Sequence, residues 1–129
     1  MAEPTYLIET SIMVDLLRGF PPAKTWLDSL SPGRAAVSFV TAAELLAGCR
    51  NRREQQVLEK ELAAYTILWD SEAASRLAWD WYRQFHLSHG MGFLDCLIGA
   101  AAHQHGLVLY ALNDKHFSPL PGSQVVRPY

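Results

Sequence analysis

Short apolar runs alternate along this chain with longer stretches of helical periodicity. Tyr6-Leu7-Ile8 is uninterrupted apolar sequence between Pro4 and the polar Glu9-Thr10-Ser11, the pattern of a buried strand. From Ser11, Ile12, Leu16 and Leu17 recur at helical spacing until Gly19-Phe20-Pro21-Pro22 stops them. A short helix is expected over about residues 23–30, ahead of the break at Ser31-Pro32-Gly33. Residues 35–40 predict a second strand. Thr41 then opens a helix over residues 42–49, and a charged helix follows over about 52–64.

Residues 66–69 predict a third strand, and Asp70-Ser71-Glu72 is a good helix start. The helix it opens runs to about His86, with Leu77, Trp81 and Phe85 on one face. Gly90-Met91-Gly92-Phe93 breaks it, and an Ala-rich helix over about residues 94–105 closes at Gly106. A strand over 107–112, a loop over 113–117 and a short strand over 124–126 complete the chain. Strands that alternate with helices, and that lack a polar alternation of their own, predict an α/β fold. The sheet should be mainly parallel, with helices on both faces. With no repeat and no long linker, residues 1–129 read as one domain.

In an open parallel sheet, ligands collect outside the carboxyl ends of the strands. Glu9 directly follows the first strand, and Asp114 follows the 107–112 strand after one residue. Glu44 falls in the first turn of the helix leaving the second strand, and Asp95 at the start of the Ala-rich helix. Four carboxylates from four segments thus map to one sheet edge. Hard oxygen ligands gathered in this way suit Mg²⁺ or Mn²⁺. Such a site activates water for phosphodiester hydrolysis. Each acid also has a local explanation. Thr41-Ala42-Ala43-Glu44 spells a capping box, Asp95 suits a helix dipole, and Glu9 and Asp114 suit turns.

Eleven Lys and Arg against 13 Asp and Glu leave a formal charge of −2, which excludes a protein that grips nucleic acid by bulk positive charge. Setting the four acids aside leaves nine acids against eleven bases, so the near-neutral total conceals an acidic centre in a mildly basic remainder. Cys49 and Cys96 lack metal-ligand spacing and read as reduced core residues. Met1-Ala2-Glu3-Pro4 carries no secretory pattern, and no apolar run approaches the ~20 residues of a membrane span. The expected location is the cytoplasm.

The same residues carry a resemblance. Tyr6-Leu7-Ile8-Glu9-Thr10-Ser11, Val40-Thr41-Ala42-Ala43-Glu44-Leu45, Asp95-Cys96-Leu97-Ile98-Gly99-Ala100 and Leu112-Asn113-Asp114-Lys115-His116-Phe117 occur in that order. Together they resemble the PIN-domain family, in particular its VapC-type toxins of toxin–antitoxin modules. The resemblance spans essentially the whole chain and implies a three-layer α/β fold. It implies a metal-dependent endoribonuclease in which Glu9, Glu44, Asp95 and Asp114 bind Mg²⁺ or Mn²⁺. Ser11, Thr41 and Asn113 match neighbouring polar positions that would orient the carboxylates or the metal's waters. It further implies a structured RNA substrate such as a transfer or ribosomal RNA, a cognate VapB-like antitoxin, and a homodimer.

One position departs from the family pattern. The first acid is normally Asp, and Glu9 adds a methylene that moves the carboxylate by about 1.5 Å, one C–C bond. An alternative is therefore a catalytically impaired PIN domain that serves as a protein-binding partner. A receiver-like signalling domain would need an acidic pair at the first strand, and Glu9 stands alone there. The remaining constellations carry less. His103 and His105, and His86 and His89, read as surface histidines, with His89 past its helix end; His116 beside Lys115 is placed either to face a phosphate or to pack in its loop. Arg50, Arg52 and Arg53 are a solvated face or a contact surface. The four Trp read as core or interface. No Ser/His or Cys/His arrangement suggests a covalent nucleophile.

Overall fold

The computed structural model describes residues 3–31 and 33–129. Met1 and Ala2, where no secretory pattern was expected, and Pro32, in the break before the second strand, lie outside the described residues. Five parallel strands form the centre, in the order β3-β2-β1-β4-β5. β1 (Tyr6–Ile8) pairs with β2 (Ala35–Ser38) on one side and β4 (Val108–Tyr110) on the other. β3 (Thr66–Leu68) lies outside β2, and β5 (Val125–Val126) outside β4. The expected mainly parallel sheet is wholly parallel among these strands.

Two core clusters explain why the strands read as unbroken apolar runs. Leu7, Ala36, Leu68 and Leu109 point to one face, where α5 (Glu72–His89) and α6 (Phe93–Gln104) supply Trp81, Ile98 and Ala100. Tyr6, Ile8 and Val37 point to the other, against Ile12 and Met13 of α1 (Thr10–Leu17) and Leu58 of α4 (Arg52–Leu62). α2 (Pro21–Asp28) adds Trp26 and Leu27 to that second layer. The result is helices, sheet, helices: the three layers expected from the sequence. No helix of the described residues is long and apolar enough to cross a membrane.

Three local expectations are corrected. α3 begins at Phe39 and runs to Ala47, so Phe39 and Val40 are helix and not strand. Its cap is Ser38, whose side-chain oxygen accepts from the Val40 amide at 3.1 Å. Phe39 and Val40 favour strands intrinsically, but β2 pairing with β3 ends at Ser38 opposite Leu68, and packing decides the rest. α5 continues through His89, where Gly90 closes it in the left-handed conformation at φ 64°. Residues 114–117, expected as loop, form a one-turn helix, α7 (Asp114–Phe117), pinned by fully buried Phe117.

α6 is held at close range by a glycine. A Cβ on Gly99 would stand 2.4 Å from Leu120 Cδ1, and Leu120 is itself buried. Gly99→Val should therefore overpack the seam between α6 and the segment after α7 and lower stability by about 1–3 kcal/mol. Chemical denaturation with linear extrapolation measures it; a variant as stable as the parent would contradict this packing.

Candidate metal centre

Glu9 enters the site as the last extended residue after β1 and the N-cap of α1. Its amide donates to the Tyr110 carbonyl at 3.0 Å, continuing the β1–β4 pairing. Its Oε2 accepts from the Ser11 amide at 2.8 Å and from the Ser11 hydroxyl. Glu is an unusual cap, but the extra methylene lets the carboxylate fold back onto the first turn as shorter acids do. The Glu9 residue is only 7% exposed. Burial pushes its pKa up; the two Ser11 bonds pull it down, and the charges of Asp95 and Glu44 raise it again.

Glu44 is held from across the fold. Its Oε1 accepts from the Thr10 hydroxyl at 2.9 Å, and Thr10 Oγ1 lies 2.9 Å from Thr41 Oγ1. A carboxylate only accepts, so the Thr10 proton goes to Glu44 and fully buried Thr41 donates to Thr10. This overturns the capping-box reading of Thr41 and Glu44. With the cap at Ser38, Glu44 sits one turn further into α3, and its side chain reaches α1. Thr10, absent from the sequence candidates, is the connector. Only the Thr-Ser pair after the first acid could have drawn attention to it.

Asp95 lies in the first turn of α6, whose cap, Gly92, offers no side-chain bond. Its Oδ2 lies 2.8 Å from Nε2 of His116 on α7. The partner of His116 is thus a carboxylate, which neither of its two expected placements named. Asp114 opens α7 at the carboxyl end of β4, half-buried, behind Asn113, whose side chain makes no capping bond. β1, α3, α6 and α7 thus each deliver one acid, and hydrogen bonds or electrostatics link Glu9, Glu44 and Asp95. Asp114 is associated with them through the turn it shares with His116.

The donor set is carboxylate and hydroxyl oxygen, which fits Mg²⁺ or Mn²⁺ and not a thiolate-seeking ion. The buried Glu9, facing two other acids, likewise favours a positive charge beside it. Among the described residues, no three His, Cys, Asp or Glu side chains close into a ready-made cage. Magnesium binding through one or two carboxylates and several waters does not require one.

Elsewhere the side chains settle into packing or solvent. His89 is the last residue of α5, not beyond it, and its Nδ1 lies 2.7 Å from Ser88 Oγ. That exposed pair has no carboxylate hydrogen-bonded to the ring among the described residues, so it lacks the third member of a nucleophile triad. His103 meets Trp81 edge-on and His86 meets Tyr82. Trp81 is buried and Trp26 half-buried, but Trp69 and Trp79 are exposed, a split the sequence did not anticipate. Cys49 and Cys96 are free thiols, half-buried and buried. Arg50 pairs with Glu54 at 2.8 Å on the surface.

The PIN domain family model matches residues 6–122. Ribonuclease VapC10 of Mycobacterium tuberculosis is 34% identical over 113 residues, 86% of this chain and 84% of the relative. Ribonuclease VapC19 of the same organism is 33% identical over 123 residues, 92% and 96% of the two chains. A toxin–antitoxin complex from Klebsiella pneumoniae superposes with a TM-score of 0.82 at 28% identity, covering 97% of this chain and 98% of that one.

The raised Glu9 has a consequence for stability. Its folded pKa lies above the unfolded value, so its protonated form favours the fold, and that benefit is lost as pH rises through the folded pKa. In metal-free protein, Glu9→Gln should therefore raise the melting temperature at neutral pH. The gain should shrink as pH falls toward the ordinary carboxylate range. Equal melting temperatures across that span would contradict the buried, repelled carboxylate.

Proposed function

The chain belongs to the PIN-domain family, and we propose that it is a metal-dependent endoribonuclease toxin of the VapC type, restrained by a VapB-like antitoxin. Residues 1–129 form one such domain, working in the cytoplasm. The observation that carries this reading is the buried Glu9 carboxylate facing Asp95 and Glu44. In it, Glu9, Glu44, Asp95 and Asp114 hold Mg²⁺ or Mn²⁺. Such an ion, when bound, lowers the pKa of water and offsets the charge that builds on a phosphodiester during hydrolysis. Ser11 fixes Glu9, and the Thr41–Thr10 relay fixes Glu44, so two carboxylates are oriented before substrate arrives. The Asn113 carbonyl closes the turn that carries Asp114 by accepting from the His116 amide, which leaves its side chain free to orient the metal's waters. The substrate is RNA, of the structured transfer or ribosomal kind.

A groove of about 690 Å³ between α1, α3 and α4 opens beside Thr10 and Glu44. Val14, Leu45 and Val57 make it apolar, and Arg18 and Arg53 line it as well. An antitoxin segment with apolar and acidic side chains fits that lining and would lie against Glu44. Homodimer formation is supported by the exposed aromatic surface of Trp79 and Phe93, which flank Tyr82 on α5 and α6.

EDTA should abolish RNA cleavage, and Mg²⁺ or Mn²⁺ should restore it. Asp95→Asn should reduce cleavage at least ~100-fold, since the metal's stabilisation is worth several kcal/mol. Gel assays on transfer and ribosomal RNA measure both; cleavage untouched by either treatment sinks the mechanism. Glu9 retains the charge and an anchored carboxylate, so Glu9→Asp should change the Mn²⁺-dependent rate by less than about tenfold, within 1.4 kcal/mol of barrier. A larger gain would establish that Glu9 impairs the site.

A further inference from the structure

We propose that His116 is a positioning residue of the carboxylate centre, fixing through its Nε2–H bond which oxygen Asp95 presents. The inference rests on the metal-site reading above and adds a residue to it. The Nε2–Oδ2 separation is 2.8 Å, and an ionised carboxylate only accepts, so Nε2 carries the hydrogen. That bond engages Oδ2, and Oδ1 of Asp95 makes no side-chain hydrogen bond among the described residues.

The placement of the ring is set by the fold. The His116 amide donates to the Asn113 carbonyl at 2.9 Å, closing the single turn of α7. Phe117, next in the chain, is fully buried, and Leu120 packs where Gly99 of α6 lacks a side chain. α7 is thereby locked against the helix that bears Asp95. An acid in the first turn of a helix commonly serves its own amides. Here Gly92 caps α6 with no side-chain bond, and the Asp95 oxygen is committed to His116 instead. The bond is also partly sheltered, with the His116 and Asp95 side chains 28% and 33% exposed. Asp114 stands two positions from His116 in the same turn. One hydrogen bond therefore ties the α6 acid to the turn that carries the β4 acid. Partners of this kind orient metal-binding carboxylates, and their loss weakens metal affinity.

Mn²⁺ titration of the metal-free full chain, followed by electron paramagnetic resonance, tests this without reference to activity. His116→Phe, which keeps a ring but no donor, should weaken Mn²⁺ binding by about 10–100-fold. His116→Gln, whose amide nitrogen reaches a similar position, should recover most of the loss. Asp95→Asn is the control on the underlying reading. If Asp95→Asn weakens binding and His116→Phe does not, the positioning role is overturned and the metal site stands. If His116→Gln binds as poorly as His116→Phe, the hydrogen bond is not the cause and the inference fails. If Asp95→Asn itself leaves binding unchanged, the metal-site reading falls and takes the inference with it. Nitrogen-15 spectra of the wild-type histidines, which need no variant to fold, should show a proton on Nε2 of His116; an unprotonated Nε2 overturns the proposal.

Discussion

A carboxylate at the end of a buried strand, facing two others, is unfavourable unless something positive joins it. Glu9 is in that position. The surrounding structure lowers the cost only in part, through two hydrogen bonds from Ser11, and leaves the repulsion with Asp95 and Glu44 in place. What remains is an electrostatic deficit that a divalent cation removes. Under the proposed function, the same deficit would let a protein with no basic excess act on RNA, the charge that meets the phosphate arriving with the metal.

The parallel sheet is what makes this gathering feasible. β1 and β4 are neighbours, so Glu9 and the turn bearing Asp114 emerge side by side at their carboxyl ends. β2 lies on the other side of β1 and hands directly into α3, which brings Thr41 and Glu44 toward Thr10. α6 has its first turn at the same edge, since Asp95 meets His116 of α7. Glu44 and Asp95 are held by partners from other elements, Glu9 by Ser11 of the helix it caps, and Asp114 depends on the buried anchor of its turn at Phe117.

Much of this was legible in the chain itself. Apolar runs such as Tyr6-Leu7-Ile8 announce strands covered on both faces, and the strand-end rule then places Glu9 and Asp114 without knowledge of contacts. What was not legible depends on pairs far apart in sequence. Thr10 and Thr41 are 31 positions apart, and Asp95 and His116 are 21, so no local pattern marks either bond. Ser38 and Thr41 are both competent caps; the end of the β2–β3 pairing, a tertiary fact, chose Ser38 and moved Glu44 out of the capping box. The exposed Trp69 and Trp79 escaped for the same reason, because composition does not say which aromatic residues the layers will cover.

Four acids, borne after β1 and on α3, α6 and α7, are proposed to converge on one divalent-cation site. Anomalous diffraction from crystals grown with Mn²⁺ tests it most directly. The expected result is a manganese peak bounded by Glu9, Glu44, Asp95 and Asp114, with waters completing the coordination. A fully ordered edge without a peak, or manganese bound only elsewhere on the chain, would contradict it.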